Sequence, residues 1–134
     1  MIFSREEYLS RLAKVKKSMD QKNMDVIILI DPSNMHYLTG YDGWSFYVPQ
    51  GIIVALELNE PIWFGRRQDS KGAKITTYLQ DKNIIYYPED LIQSPHQHIL
   101  MILFHLLFMR IIGQTKILVL KWMLITTLQK IIID

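Results

Sequence analysis

Four short apolar runs, separated by helix and turn signals, constrain the fold of this chain more than any other feature. They are rich in Ile and Val, and they occupy residues 25–30, 51–57, 61–65 and 83–87. Runs of this length and composition, bounded by Asn, Asp, Gly and Pro, predict β-strands. The first run, DVIILI, is apolar throughout after Asp25, which is typical of a strand that is buried on both faces.

A helix is predicted before the first strand. Ser4 and Glu7 form a capping-box pattern, in which a hydroxyl and a carboxylate each satisfy a free backbone N–H group. Apolar residues then recur at helical spacing, and lysines follow toward the C-terminal end. We therefore expect an amphipathic helix over residues 5–22, with its lysines on a solvated face.

Two more helices are predicted between the strands. Pro32 follows Asp31 at a position suited to a first helical turn, and Gly40 suits a helix end, so one or two helical turns are expected there. Asp69 or Ser70 is expected to cap a helix that runs to about Leu79. A mixed sheet with helices on its faces is the simplest arrangement for this order of elements.

Composition excludes several classes of protein. The net charge of +2 argues for neither a nucleic-acid binder nor an acidic tail. The absence of cysteine excludes a disulfide framework and a thiolate zinc site, and it suits a reducing compartment. The opening MIFSREEYL has no apolar core of a signal peptide. We therefore expect a cytoplasmic protein that binds neither nucleic acid nor membrane.

Residues 31–50, DPSNMHYLTGYDGWSFYVPQ, carry five aromatic rings and no Lys or Arg directly after a predicted core strand. A second candidate feature is the stretch 66–69, Arg-Arg-Gln-Asp, at the end of another predicted strand. A guanidinium there can bind a carboxylate through paired hydrogen bonds.

Other polar residues suit structural roles better than catalytic ones. His96 and His98 have ligand-like spacing, but they lack nearby Cys or clustered carboxylates, so a metal site is not expected. His36 fits a packed or solvated position, and Asp31, Asp42 and Asp69 fit turns and caps. No acid–base pair at a usable spacing emerges.

Three long sequence segments show a resemblance to a known family: residues 31–50, the stretch WFGRRQDSKGAK at 63–74, and residues 83–98. In this order they resemble the creatinase/prolidase N-terminal domain of the pita-bread, Xaa-Pro peptidase-like hydrolases, and within that family the ectoine hydrolases. The resemblance covers about residues 2–98. It implies a three-layer α/β/α fold with a mixed sheet.

The same resemblance implies a role in a dimeric hydrolase of C–N bonds. In related enzymes this domain reaches over the active site of the dimer partner, which makes Trp44, Phe46, Tyr47 and Arg67 the substrate-binding candidates. Ectoine is a small cyclic amidinium carboxylate, so aromatic rings would face its cation and Arg67 its carboxylate. Alternatively, the rings pack at a domain interface.

The family's catalytic domain often binds a divalent metal pair, although creatinase-like members can work without metal. None of that domain is present in this sequence, so we expect no catalytic residue, metal or cofactor here and no hydrolysis by this chain alone. A homodimer and a small-molecule substrate are the partners that the resemblance implies for the full-length family. The alternative is a stand-alone binding or dimerisation module without enzymatic activity.

The resemblance and the acidic residues stop together at residue 98, because residues 99–133 contain no Asp or Glu. Codons back-translated from this tail and regrouped in the neighbouring frame allow HP-x-D and later WADKNIGVEMD, which resembles the family's continuation. We therefore hypothesise that residues 99–134 are an out-of-frame translation and that the catalytic domain is absent. The alternatives are that residues 99–134 are a natural divergent tail or a membrane-associated one. The apolar run in this tail has 14 residues, which is too short to span a bilayer.

Overall fold

A computed structural model describes residues 2–43 and 48–87. Its elements follow the predicted order, and each strand begins and ends within two residues of the predicted bounds. They are α1 (Arg5–Gln21), β1 (Val26–Leu29), α2 (Pro32–Thr39), β2 (Gly51–Ala55), β3 (Ile62–Arg66), α3 (Arg67–Thr76), a 3-10 turn (Asp81–Asn83) and β4 (Ile84–Tyr87). The tail at 99–134 lies outside the described residues, so its out-of-frame origin stays a prediction for the nucleotide sequence to test.

The strands form one mixed sheet in the order β1-β2-β3-β4. β1 and β3 each pair antiparallel with β2, whereas β3 and β4 run parallel. The register places Ile53 opposite Ile62 and Trp63 opposite Ile84. Because neighbouring side chains along a strand alternate between faces, this register sorts the apolar residues into two sets. The α/β fold with a mixed sheet is confirmed.

One face of the sheet is covered by the helices. Trp63 is fully buried at the middle of this face, and residues from α1, α2 and α3 pack around it. The buried cluster comprises Tyr8, Leu12, Met19, Met35, Leu38, Tyr41, Ile52, Val54, Trp63, Ala73, Tyr78, Leu79 and Ile84. Burial of this much apolar surface is the main favourable term in forming the domain.

The opposite face carries a second buried cluster, made of Val48, Ile53, Ile62, Phe64 and Tyr87. Within residues 2–43 and 48–87, all the α-helices contribute to the first cluster and none to the second. The part of the chain described by the structure therefore shows two layers, the sheet and one helical layer, of the expected three.

The first strand differs from its prediction. All four residues of β1 are only half-buried, and Ile30 just after it is 71% exposed. In the described residues β1 pairs on one side only, with β2, so it forms an edge of the sheet. An apolar run alone does not distinguish an edge strand from a central one, because strand order is set by pairings distant in sequence.

The helix ends show the predicted local chemistry with one change. Ser4 Oγ accepts from the N–H of Glu7, Asp31 caps α2 by accepting from Asn34 N, and Gly40 ends α2 at φ +80°. The Glu7 carboxylate, however, accepts from Arg11 Nε at 2.9 Å, four residues along the same helix. The hydroxyl half of the capping box is therefore present, while Glu7 forms an ion pair on the helix surface.

One lysine of α1 departs from the expected solvated face. The Lys16 ammonium donates to the carbonyls of Leu56 and Leu58, so it caps the turn that leaves β2. Burial lowers the pKa of Lys16. The long apolar stem allows this side chain to cross the packed surface and bring its charge to backbone carbonyls.

A buried carboxylate just before β3 connects three segments. Glu60 accepts from Arg5 Nη2 at 2.7 Å, from Asn83 Nδ2 at 2.9 Å and from the N–H of Gln80 at 3.2 Å. Burial raises the pKa of this carboxyl, but the hydrogen bonds from Gln80, Arg5 and Asn83 outweigh that effect and leave the pKa below its usual value. The ionised form of Glu60 is thus the one that the fold stabilises.

Replacing Glu60 by Gln should destabilise the domain near neutral pH by about 2 kcal/mol, because a charged acceptor of several hydrogen bonds is lost. Since the folded-state pKa is lowered, the stabilisation by Glu60 is present above the unfolded-state pKa and is lost as the pH falls through the folded value. Urea unfolding of both proteins should therefore show a difference that shrinks below about pH 4. The exposed Glu57→Gln is the matched control; an equal loss there would contradict this account.

Gly40 and Tyr8 should be energetically coupled. A Cβ at Gly40 would lie 2.8 Å from Tyr8 Oη, and the backbone there has positive φ. Gly40→Ala should cost about 1–2 kcal/mol or more, while Tyr8→Phe should be near neutral because its buried hydroxyl has no hydrogen-bond partner among residues 2–43 and 48–87. In thermal or urea unfolding, the double variant should recover part of the Gly40→Ala loss. Gly72→Ala, with open space at its Cβ, should instead be stabilising.

Candidate functional site

The carboxyl ends of β3 and β4 lie side by side, because these strands are parallel. Gly65 is opposite Tyr86, and Arg66 and Arg67 follow at the junction of β3 with α3. Ligands of α/β proteins commonly bind outside the carboxyl ends of such strands. This edge of the sheet, which we call the β3–α3 edge (Gly65–Asp69 and Tyr86), is the candidate functional site.

The first arginine of the edge holds the junction together. Arg66 Nε donates to Asp69 Oδ2 at 2.7 Å, and Arg66 Nη2 donates to Oδ1 at 3.1 Å. This two-bond pairing makes α3 begin at Arg67, two or three residues before the predicted cap at Asp69 or Ser70. Asp69 therefore lies in the first turn of α3, where the helix dipole favours its charge.

The second arginine points to a different role. Arg67 is exposed, and its Cζ atom lies 5.6 Å from the centre of the Tyr86 ring. Within the described residues, Arg67 makes no ion pair, so its guanidinium donors face solvent beside an aromatic ring. Tyr86, 51% exposed, was missed by the sequence reasoning. Its position in a strand after two Ile residues gave only a weak signal of exposure.

The other three predicted substrate-binding residues, Trp44, Phe46 and Tyr47, lie outside the described residues, and so do His96 and His98. The remaining rings of the aromatic stretch separate into two roles. Tyr37 is 44% exposed and lies over the Arg11 guanidinium, at 4.7 Å. Tyr41 is buried against Trp63, with ring centres 5.4 Å apart.

Tyr41 links the two ends of the aromatic stretch. Its hydroxyl donates to Gln50 Oε1 at 2.9 Å, within the buried interior. Burial raises the pKa of Tyr41 to about 12, the Asp69 charge adds to this effect, and Arg66 and the Trp63 N–H act against it. The hydroxyl therefore stays protonated and remains a hydrogen-bond donor at neutral pH.

The other polar candidates occupy structural positions. Asp31 caps α2, Asp42 is exposed, and His36 is half-buried in the last turn of α2. In the part of the chain described by the structure, no group of three or more His, Asp or Glu side chains could hold a metal ion. Nor does any helix among residues 2–43 and 48–87 have the length and apolar character of a membrane span.

Comparison with known proteins identifies the family to which this domain is similar. The model of the creatinase/prolidase N-terminal domain matches residues 11–102. Over 96 residues, the chain is 51% identical to the ectoine hydrolase of Halomonas elongata and 44% identical to an uncharacterized hydrolase/peptidase of Sinorhizobium fredii. Both alignments cover 72% of this chain and 24% of the relative, so the chain spans about a quarter of the length of these proteins.

Solved structures agree at the level of the fold. A proline dipeptidase from Streptococcus agalactiae superposes with a TM-score of 0.55 at 20% identity, covering 68% of this chain and 64% of that one. The creatinase/prolidase N-terminal domain of an X-Pro dipeptidase from Streptococcus pyogenes gives 0.53 at 21% identity, covering 60% and 59%.

Alkaline titration should reveal the buried hydroxyl of Tyr41. Because burial raises the pKa of Tyr41 and of Tyr78 to about 12, two tyrosinate absorbance steps should appear near that pH. The folded-state pKa is raised, so the stabilisation is present below the unfolded value of about 10 and is lost as the pH rises through the folded value.

Tyr41→Phe should remove one of these steps and cost about 1–3 kcal/mol at neutral pH, since Gln50 Oε1 is then left buried without its donor. The control Tyr37→Phe should leave the steps near pH 12 unchanged. A Tyr41→Phe protein that keeps both steps would show that this hydroxyl is not in the environment described.

Proposed function

The chain belongs to the creatinase/prolidase N-terminal domain family, and on that premise we propose that it serves as the N-terminal, non-catalytic domain of an ectoine-hydrolase-like hydrolase of C–N bonds. The identity to the Halomonas elongata enzyme, 51% over 96 residues, supports ectoine or a close relative as the substrate. In this proposal the chain supplies substrate-binding groups, while the groups that activate water belong to the family's catalytic domain.

The different surroundings of Arg66 and Arg67 are the observation that supports the proposal most directly. Arg66 is held by Asp69 in a two-bond ion pair, whereas Arg67 presents its guanidinium to solvent beside Tyr86. An arginine fork matches the geometry of a carboxylate, and the carboxylate of ectoine is the group it would bind. Trp44, Phe46 and Tyr47 are proposed to face the amidinium ring.

A chimeric enzyme tests this assignment. The matching segment of the Halomonas elongata enzyme is replaced by the 96 aligned residues of this chain, and ectoine hydrolysis is measured. The unmodified chimera should be active, and Arg67→Ala should raise KM for ectoine by about tenfold or more, as expected for loss of a charge-assisted hydrogen bond. Lys71→Ala, an exposed cation on the same helix, is the matched control and should behave as the unmodified chimera.

Two results would contradict the proposal. One is a folded chimera that does not hydrolyse ectoine. The other is an Arg67→Ala chimera with unchanged KM. The isolated chain should show no turnover of ectoine, and activity there, abolished in a buffer-matched control without protein, would overturn its non-catalytic role.

Dimerisation is the second part of the proposal. The alternative function, a stand-alone binding or dimerisation module without enzymatic activity, would use the same surface. An aromatic surface formed by Phe3, which precedes α1, and by Tyr37 on α2 supports it: Arg11 Cζ lies 4.2 Å from the Phe3 ring centre and 4.7 Å from that of Tyr37. Both rings are more than 40% exposed, and aromatic residues with Arg are enriched in protein interfaces. Light scattering should give a dimer mass for the full chain, and a monomer at all concentrations tested would contradict this part.

A further inference from the structure

The outer edge of β1 is open. Within residues 2–43 and 48–87, β1 pairs only with β2. Its residues are half-buried, and Ile30 directly after it is 71% exposed. Edge strands of soluble proteins are usually protected from further pairing by Lys, Pro or an inward-pointing charge. The strand sequence VIIL carries none of these, so the edge of β1 is suited to pairing with another strand.

The hydrogen bonds to β2 show which backbone groups of β1 face outward. Leu56 N donates to Asp25 O at 3.0 Å, so the backbone of Asp25 faces β2. Because backbone groups alternate between the two sides of an antiparallel strand, Ile27 also faces β2. The N–H and C=O groups of Val26 and Ile28 then point to the open side. No hydrogen bond between described residues uses that side of β1.

The side chains of β1 are apolar on both faces of the sheet. Ile27 and Leu29 pack against the helix-covered cluster, and Val26 and Ile28 pack against the cluster on the opposite face. A strand added beside β1 would extend both clusters at once, which requires apolar residues on both of its own faces. A second copy of β1 meets this requirement, since every residue in it is apolar.

Charge selects one register for such a pair. Residues directly opposite each other in an antiparallel pair have the same orientation, so the pairings centred on the strand place either Ile27 or Ile28 opposite itself. With Ile28 at the centre, Asp25 would lie opposite Asp31 of the other copy, and like charges in that position are destabilising. With Ile27 at the centre, Asp25 lies opposite Leu29, and this repulsion is avoided.

We propose that β1 pairs antiparallel with β1 of a second copy, with Ile27 opposite Ile27 of that copy, so that the two sheets become one. This inference rests on the proposed dimerisation and names a contact for it, made by residues other than Phe3 and Tyr37. Val26 exchanges backbone hydrogen bonds with Ile28 of the second copy, and Ile28 with its Val26. Because the same strand is used by both copies, the contact closes as a twofold dimer.

A single cysteine tests the register, because the chain has no cysteine of its own. Opposite residues that share no hydrogen bond have Cα atoms about 4.5 Å apart, within the range of about 4.4–6.8 Å that a disulfide spans. With oxidised glutathione, Ile27→Cys should therefore form a covalent dimer. Ile75→Cys, 79% exposed on α3, is the control and should run as a monomer on a denaturing gel. Cross-linking of Ile28→Cys in place of Ile27→Cys would overturn the proposal.

Amide hydrogen exchange of the full chain tests the backbone contact. Protection of the Val26 and Ile28 N–H groups should rise by about tenfold or more as the protein concentration passes through the dimer Kd. The N–H groups of Ile27 and Leu29, which face β2, should be protected at every concentration. Protection of Val26 and Ile28 that does not depend on concentration would show that a segment of the same chain covers the edge, and the proposal would be wrong.

Ile28→Pro removes an outward N–H group and leaves the hydrogen bonds to β2 in place. At an unchanged circular dichroism spectrum, it should raise the dimer Kd in light scattering by about tenfold or more. If this variant does not fold, the cross-link and the exchange pattern still decide the proposal.

The outcomes separate this inference from the proposed function. A dimer weakened by Tyr37→Ala but not by Ile28→Pro would support dimerisation and overturn the pairing of β1. A wild-type chain that stays monomeric at all concentrations tested would overturn both. An inactive chimera, or an unchanged KM in Arg67→Ala, concerns the ectoine assignment alone.

Discussion

The burial of Trp63 is the interaction on which the rest of this structure depends. Its indole fills the centre of the helix-covered face, against Tyr41 on one side and over Gly65 on the other. Large aromatic side chains dominate the energetics of small cores. Because β3 carries Trp63 and pairs with both β2 and β4, the position of this one ring fixes the strand from which the candidate site extends.

Charged groups hold both ends of that strand. Glu60, just before β3, gathers Arg5, Gln80 and Asn83, and Arg66 at its other end is held by Asp69. The Glu60 contacts anchor the start of β3 to α1 and to the residues before β4. The Arg66–Asp69 ion pair anchors the end of β3 to α3. Ion pairs that are partly buried and geometrically well matched contribute more than exposed ones.

This anchoring explains how two neighbouring arginines serve different purposes. Arg66 is committed to the fold, and its pairing with Asp69 sets the first turn of α3. Arg67 then occupies the first helical position and lies beside Tyr86, an exposed ring on the adjacent parallel strand. The stretch 66–69 by itself allowed either arginine to bind a carboxylate, and the family resemblance singled out Arg67. The turn geometry separates the two independently, because Arg66 forms the ion pair with Asp69 and Arg67 forms none within the described residues.

Much of the local structure was determined by the sequence itself. Apolar β-branched runs predicted all four strands, Ser4 predicted the cap of α1, and Asp31 with Gly40 predicted both ends of α2, because these signals act within a few residues. The three long sequence segments between residues 31 and 98 likewise predicted the family. Such features depend on residue types at neighbouring positions, and these can be read directly from the sequence.

Tertiary structure alone decided the remaining features. The edge position of β1, the burial of Lys16 against the turn after β2 and the early start of α3 depend on contacts between distant residues or on an ion pair that needs a fixed turn. The hydrogen bond from Tyr41 to Gln50 depends on strand register, and register is set by packing of the whole sheet rather than by any one segment. The sequence therefore determined the elements and the family, whereas the assembled sheet decided which polar groups meet at the site.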